Sequence, residues 1–192
     1  MAASASRKGY FYRKSLDGKD NPAVLRFRVG NSITVTHGDA VKLDASGVLQ
    51  LAGAGGPFLG IVLGIVDELG INPLGQGYNN QTGATLSGDD TVTSASDNSS
   101  RTHYLACSVI VDPMALFYNN ADDDVSVVND LQLFDHNSSS DNIDVATASD
   151  TSGQMQLVQR DPDGDADLSK GLFRIVESQL LTQVGNSTAI IA

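Results

Sequence analysis

Aspartate supplies almost all of the acidic residues of this chain, and this restricts its secondary structure more than any other feature. Only Glu68 and Glu177 are glutamate among the 23 acidic residues of the 192-residue sequence, which leaves 21 aspartates. Aspartate favours turns and helix caps, whereas glutamate is a good former of helix interiors. Long surface helices are therefore disfavoured, and we expect the apolar residues to be buried mainly by strands.

Apolar residues recur with a two-residue period where they cluster, which predicts strands. The clearest hairpin has strands at residues 41–43 and 48–51. Between them, the sequence Asp-Ala-Ser-Gly at 44–47 is typical of a turn with glycine at its final position. In this pairing the apolar residues share one face, while Lys42 and Gln50 face water.

Two longer runs, at residues 58–66 and 104–111, are mostly apolar. Runs of this length with β-branched residues predict strands that are buried on both faces. Gly60 and Gly64, inside the first run, are expected at bulges or where another backbone comes close. Cys107 is expected to act as a small buried hydrophobe, and as the only cysteine it allows no disulfide within the chain.

Asp112 and Pro113 end the second apolar run. Aspartate as N-cap with proline at the first helical position predicts a short turn of helix over residues 114–117. Beyond it the sequence is rich in Asp, Asn and Ser, which suits turns and exposed loops between short strands. These shorter strands are predicted at residues 125–128, 131–134, 143–145, 155–158 and 172–176.

The longest polar stretch covers residues 70–101, and we expect a surface loop that carries a weak hairpin at 84–93. Short strands separated by turn signals, without a long helix, predict an all-β fold. We expect a single β-barrel or a jelly-roll-like β-sandwich over residues 31–192, with the 70–101 stretch as an insertion and with long surface loops. Residues 1–30 are expected to form an extended basic N-terminal arm.

Charge is distributed unevenly along the chain, whose formal net charge is −11. Residues 1–30 hold seven bases and two acids, a local net charge of +5, so the remainder carries −16. A negative body repels nucleic acid, because affinity for phosphates depends on clustered Lys and Arg. We therefore expect the basic arm to dock on an acidic surface of a neighbouring subunit or a partner protein; a solvated extension with no partner is the alternative. The candidate docking residues are Arg7, Lys8, Tyr10, Phe11, Tyr12, Arg13, Lys14, Arg26 and Arg28.

No membrane partner is expected from the sequence. The first residues do not resemble a signal peptide, because no apolar segment of adequate length follows Arg7 and Lys8. The longest apolar run, residues 57–66, is far shorter than the roughly 20 residues that a membrane-spanning helix needs.

One aspartate-rich segment has the alternating carboxylates of a calcium loop. An EF-hand loop would need glycine at its sixth position and glutamate at its twelfth, where this sequence has Ala166 and Leu172. We therefore favour a solvated turn over a metal site, and we assign no cofactor. The four carboxylates are those of Asp161, Asp163, Asp165 and Asp167.

Catalytic patterns are weak in this sequence. His37, His103 and His136 lie in unrelated segments, and none has the short spacing to Cys107 that a zinc site would show. No Gly-x-Ser-x-Gly motif is present. A small hydrolase that combines Asp and His side chains from several loops is a remaining hypothesis, but we predict a protein without enzymatic activity.

In the order of its short motifs and in their local sequence, the chain resembles the head decoration or cement proteins of tailed bacteriophages. The Asp-Pro-x-Ala-Leu-Phe phrase is similar to one in head-associated proteins of aquatic phages. The resemblance spans about residues 10 to 178, and the 70–101 stretch is its least typical part. It rests on a basic aromatic lead at 10–28, then Gly38-Asp39-Ala40-Val41, Leu59-Gly60-Ile61-Val62, Asp112-Pro113-Met114-Ala115-Leu116-Phe117 and Leu172-Phe173-Arg174-Ile175-Val176.

The resemblance implies a structural virion protein that is made in the host cytoplasm and binds the outside of a phage capsid. Such proteins often form homotrimers, contact the major capsid protein and brace the capsid against the pressure of its DNA, a role that needs no catalysis. The alternative is a tail- or fibre-associated β module that binds glycans or a host surface through the 70–101 loop.

Overall fold

Strands dominate the computed structural model of the chain. The structure describes residues 9–71, 84–86, 91–120, 131–137, 142–160 and 170–179. The described part is all-β, built from antiparallel sheets, and is consistent with a β-sandwich. The all-β prediction is thus confirmed, while a single closed barrel is not found among these residues.

Fourteen strands lie within the described ranges, together with one turn of 3-10 helix at Asn98–Ser100. The strands are β1 (Phe11–Ser15), β2 (Val24–Arg28), β3 (Thr34–Thr36), β4 (Ala40–Leu43), β5 (Leu49–Leu51), β6 (Gly60–Asp67), β7 (Thr85–Leu86), β8 (Thr91–Thr93), β9 (Leu105–Ile110), β10 (Ala115–Asn120), β11 (Leu133–Asn137), β12 (Asn142–Ser149), β13 (Met155–Arg160) and β14 (Lys170–Ile175).

These strands form three sheets, and every pairing within a sheet is antiparallel. The six-stranded sheet has the order β1-β10-β14-β13-β11-β12, the five-stranded sheet β2-β9-β6-β4-β5, and the three-stranded sheet β3-β8-β7. The predicted hairpin is confirmed as β4 and β5, with Lys42 opposite Gln50. In the polar stretch, β7 and β8 pair as the predicted hairpin, while residues 72–83 and 87–90 lie outside the described residues.

The apolar residues form two clusters on opposite faces of the five-stranded sheet. The first cluster lies between the five- and six-stranded sheets and includes Ile61 and Ile110. The second cluster includes their neighbours Val62 and Val109, and it also takes in residues of the three-stranded sheet. Because successive side chains of a strand point to opposite faces, this alternation places one cluster on each side of β6 and β9. Burial on both faces, predicted for both runs, is thereby confirmed.

The two glycines of β6 have the predicted roles. A Cβ at Gly60 would overlap the carbonyl oxygen of Ile110, so only glycine allows β6 and β9 to approach so closely there. Gly64 follows a shift of register between β6 and β9, as at a β-bulge. Leu63 is the extra residue of this irregularity and is 41% exposed.

The structure differs from the predicted extended arm over residues 9–28. β1 pairs with β10 and β2 pairs with β9, and Tyr10 is buried in the first cluster. The apolar and aromatic side chains between the basic residues explain the difference, because burying them in the body stabilises the chain more than leaving them in water. Arg7 and Lys8 lie outside the described residues.

The predicted helical turn over residues 114–117 is a strand instead. Asp112 does form a turn, in which its carboxylate accepts a hydrogen bond from the Met114 amide at 2.9 Å and its carbonyl accepts one from the Ala115 amide at 3.1 Å. The chain then continues as β10 between β1 and β14, where Phe117 lies opposite Phe173. Tertiary pairing and burial on this inner strand outweigh the local helix signal.

The later strand predictions have mixed outcomes. Strands are confirmed near the four predicted positions from 131 to 176, as β11, β12, β13 and β14, each longer or shifted by a few residues. The strand predicted at 125–128 lies outside the described residues.

Candidate docking site

Of the predicted docking residues that the structure describes, all but Tyr10 lie on β1 or β2, at the ends of two different sheets. Among the described residues, β1 is one of the two terminal strands of the six-stranded sheet and β2 is one of the two of the five-stranded sheet. Terminal strands present backbone groups that can pair with another chain. Arg13, Lys14 and Arg26 are thus exposed, on the body and not on an extended arm.

The aromatic residues of this segment attach it to the body. The hydroxyl of Tyr10 lies 3.0 Å from Nδ1 of the buried His136. The ring of Phe11 packs against His37 with a centroid distance of 5.7 Å. The Tyr12 hydroxyl donates a long hydrogen bond of 3.4 Å to the carbonyl oxygen of Lys19. These three rings therefore hold β1 and the segment before it against the body.

Arg13 and Lys14 are the exposed cations of β1. The ladder between β1 and β10 shifts register between Tyr12 and Lys14. A bulge and cations are both devices that keep an edge strand from pairing with other strands. This edge is therefore suited to charge contacts more than to strand addition.

The cations of β2 have intramolecular partners, but these partners are neutral. Nη1 of Arg26 donates a hydrogen bond of 3.1 Å to the carbonyl oxygen of Glu68. The guanidinium of Arg28 lies 3.7 Å from the centre of the Tyr104 ring and donates to the carbonyl oxygen of Ser99. Neither arginine forms an ion pair with a carboxylate of the described residues. Both side chains are positioned, and both keep a positive charge that a partner could neutralise.

An open cavity of about 270 Å³ lies between β1 and the turn that follows it, lined by Tyr12, Arg13, Lys14, Ser15, Gly18, Lys19 and Asp20. Asp17 in this turn is ion-paired with Lys19 at 2.6 Å. Hydrogen bonds from Lys19 and from the Ser15 hydroxyl lower the pKa of Asp17 to about 2, and the pair raises the pKa of Lys19. Burial and the charges of Asp112, Asp20 and Asp17 raise the pKa of Tyr12. Acids and bases are thus mixed around this cavity.

Exposed apolar side chains border the cations. Leu16 is 47% exposed and Met114 is 43% exposed. The two are neighbours, because the amide of Leu16 donates a hydrogen bond to the carbonyl oxygen of Met114. On β2, Val24 is 39% and Leu25 is 48% exposed. We call this set the N-terminal surface: Arg13, Lys14, Leu16, Val24, Leu25, Arg26 and Met114. Apolar residues rimmed by charge are typical of interaction sites.

The basic pattern of the N-terminal segment did not indicate the apolar part of this surface. Val24 and Leu25 are adjacent in a strand, so their side chains point to opposite faces. At the end of a sheet, neither face is covered completely. The adjacent apolar residues Val24 and Leu25, next to Arg26, were the feature of the sequence that could have indicated exposed apolar side chains here.

The histidines are not gathered into one site. Nδ1 of His103 lies 2.5 Å from Oε1 of Glu68, and the histidine side chain is more than half exposed. Burial raises the pKa of Glu68, but hydrogen bonds from His103 and from the amides of Glu68 and Tyr104 lower it by more, so the pKa of Glu68 is lowered overall.

Cys107 is buried in the second cluster, as predicted. Burial, together with the charge of Asp39, raises the pKa of its thiol.

No group of three or more His, Cys, Asp or Glu in the described ranges could hold a metal ion. The aspartates of the predicted calcium loop, at 161–167, lie outside the described residues. In the part of the chain that the structure describes, no helix is both long and apolar enough to cross a membrane.

Comparison with known proteins identifies no relative: no family model, no curated protein and no solved structure matches the chain.

Proposed function

We propose that this chain is a structural virion protein that binds the outside of a tailed-phage capsid and stabilises it, with the N-terminal surface facing the major capsid protein. The observation that carries the proposal is the contrast of charge. A segment of net charge +5 supplies two terminal strands of a body that carries −16. An acidic capsid surface would attract this face and repel the rest of the molecule.

The proposal also draws on the resemblance to decoration proteins and on the all-β fold. Each copy would bind weakly through rim charges, since exposed ion pairs contribute only about 0.2–1 kcal/mol each. A homotrimer on the shell would engage three such surfaces together and gain from multivalency. Attachment would then depend on oligomeric state and on salt.

Cosedimentation with empty capsids tests the proposal, using shells assembled from the major capsid protein encoded in the same genome. We expect binding to saturate at a fixed ratio to capsid protein and to weaken as salt rises, because ions screen exposed charges. Native mass measured in parallel should report a trimer. Absence of binding at every salt concentration would overturn the proposal.

Lys14→Glu and Lys42→Glu form a matched pair for the same assay. Both lysines are exposed on strands, but Lys42 lies on β4, which pairs with β5 and β6 and with neither β1 nor β2. We expect Lys14→Glu to weaken capsid binding about two- to tenfold at low salt and to reduce its salt dependence. Equal binding by the two variants would exclude β1 from the contact.

Copy number per virion separates this proposal from the tail- or fibre-associated module. Decoration requires hundreds of copies in each particle, whereas a tail component requires few. Quantitative mass spectrometry of purified virions gives the number directly, and a low count would favour the tail module.

A further inference from the structure

Half of the backbone groups of β2 point away from its only partner strand among the described residues. The amide of Val29 donates to the carbonyl of Leu105 at 3.0 Å, and the amide of Val111 donates to the carbonyl of Ala23 at 2.9 Å. In an antiparallel ladder such hydrogen-bonded pairs alternate with pairs whose N–H and C=O groups point outward. The outward groups of this strand are therefore those of Val24 and Arg26, followed by those of Arg28.

The far end of the same edge is already occupied. The amide of Gly30 donates to the carbonyl of Leu49 at 2.8 Å, and Val29 forms a parallel bridge with Leu49. This contact joins the end of β2 to β5, the opposite terminal strand of the sheet. The free part of the edge is thus its first half, around Val24 and Arg26, where no described strand lies alongside.

This half of β2 carries an exposed cation, Arg26, as β1 does, but it lacks the bulge that β1 has. The register between β2 and β9 is regular over all five residues, without a bulge. Val24 and Leu25 leave a large part of their side chains in water. A regular edge strand with exposed apolar side chains is a template for strand addition.

Side chains on the two faces of β2 specify the chemistry of an added strand. Val24, Arg26 and Arg28 lie on one face, and Leu25 and Phe27 lie on the other. Among the described residues, the two arginines donate to carbonyl oxygens and pair with no carboxylate. A neighbouring strand would place alternate residues against these faces, so acids would suit the arginine face and apolar residues the Leu25 face.

We propose that the free edge of β2 accepts an extended strand of a partner protein in which acidic residues alternate with apolar ones. This deepens and rests on the proposed function, because it gives the docking mode and partner chemistry of the N-terminal surface. Backbone hydrogen bonds would supply affinity, and the alternating side chains would supply specificity.

A synthetic ten-residue peptide that alternates Glu and Val tests the proposal, with a peptide that alternates Lys and Val as its control. We expect the acidic peptide to bind at least about tenfold more tightly by fluorescence anisotropy at low salt. Hydrogen exchange should slow at the amides of Val24 and Arg26 when the acidic peptide is bound. Equal binding of the two peptides, or unchanged exchange at these two amides, would overturn the proposal.

Val24→Pro and Val24→Thr are the matched variants. Proline removes the outward N–H of Val24 and no ladder hydrogen bond, and proline is tolerated on edge strands. Threonine keeps the N–H and the β-branched shape. We expect Val24→Pro to weaken peptide binding about tenfold or more and Val24→Thr to remain within about threefold of the wild type. Equal loss in both variants would refute strand addition; if Val24→Pro does not fold, the exchange measurement on the wild type decides.

Two further measurements separate the possible failures. If capsids bind Val24→Pro and Val24→Thr equally well, the strand proposal fails while the proposed function stands. If the acidic peptide binds as described but capsids do not bind, the proposed function fails and the strand proposal stands. Sedimentation that shows a dimer abolished by Val24→Pro would make a second copy the occupant and would overturn a separate partner.

Discussion

The two apolar clusters share the five-stranded sheet, yet they are built from different side chains. The first is rich in aromatic rings and the second is almost entirely aliphatic. In the first cluster the rings of Phe134 and Phe173 meet edge to face at a centroid distance of 6.1 Å. In the second, small β-branched residues such as Val62 and Val109 lie opposite each other on neighbouring strands. Large rings therefore fill the space between the two largest sheets, while short side chains suffice where the small three-stranded sheet contributes to the second cluster.

The buried polar groups beside the two apolar clusters also differ in their arrangement. In the first cluster, Tyr10 contacts His136, whose amide donates to Oε1 of Gln154 at 2.8 Å, and Nε2 of Gln154 donates to the carbonyl of Gly53 at 3.2 Å. Beside the second cluster, the buried side chain of Asn98 bonds two backbone segments. The first arrangement connects distant strands in a chain of contacts, and the second concentrates three bonds on one amide.

Phe173→Ala should produce the largest loss of stability. Phe173 is fully buried, and removing its ring leaves a cavity and an unpaired face on Phe134. We expect a loss of about 3–5 kcal/mol in the free energy of unfolding by denaturant titration. Val109→Ala in the second cluster should cost roughly 1–3 kcal/mol. Comparable losses would mean that the aromatic cluster is not the stronger of the two.

Asn98→Ala removes the buried side chain that hydrogen-bonds to backbone groups beside the second cluster. Nδ2 of Asn98 donates to the carbonyls of Val29 and Leu105 at 2.6 and 3.0 Å, and Oδ1 accepts from the Leu105 amide at 2.8 Å. Alanine would leave buried backbone groups without partners, so we expect a loss of about 2–4 kcal/mol by the same titration. Asn31→Ala, which removes a single exposed bond to Ser99, is the control. A similar, small loss for both would contradict this role.

Tyr10→Phe weakens the polar chain of the first cluster without creating a cavity. It removes the hydroxyl that lies 3.0 Å from Nδ1 of His136 and keeps the ring. We expect a loss of about 1–2 kcal/mol in the free energy of unfolding. Tyr12→Phe removes a longer, exposed bond and should change stability by less than about 0.5 kcal/mol. If Tyr10→Phe is as stable as Tyr12→Phe, the contact with His136 does not stabilise the cluster.

Sequence pattern was sufficient for the parts of the fold in which local signals and tertiary burial agree. The run of apolar residues around Ile61 predicted burial on both faces, and Gly60 predicted a close approach of backbones. Both predictions hold because β6 lies in the five-stranded sheet, which has an apolar cluster on each face. The hairpin of Lys42 and Gln50 was predictable for a similar reason, since its turn residues and its alternation specify the same register.

Prediction failed where distant partners decide the structure. Asp112 and Pro113 carry a helix-start signal, but the strands on either side of β10 lie about 100 residues before it and 55 after it. Basic neighbours made Tyr10 look exposed, although its hydroxyl meets His136, which is 126 residues away. The apolar part of the N-terminal surface depends in the same way on which strands end a sheet, which composition does not specify.

The exposed ion pair of Asp17 and Lys19, in the turn after β1, should have the smallest effect on stability. Hydrogen bonds from Lys19 and Ser15 lower the pKa of Asp17 to about 2 from an ordinary 3.8. Because the pKa is lower in the folded state, the ionised form stabilises the fold above pH 4, and this stabilisation is lost as the pH falls from about 4 to 2. Asp17→Asn should therefore flatten the decline in stability over that range. Carbon-detected NMR titration of the Asp17 carboxyl should give a midpoint near 2, and a midpoint near 3.8 would show that the turn does not hold these hydrogen bonds in solution.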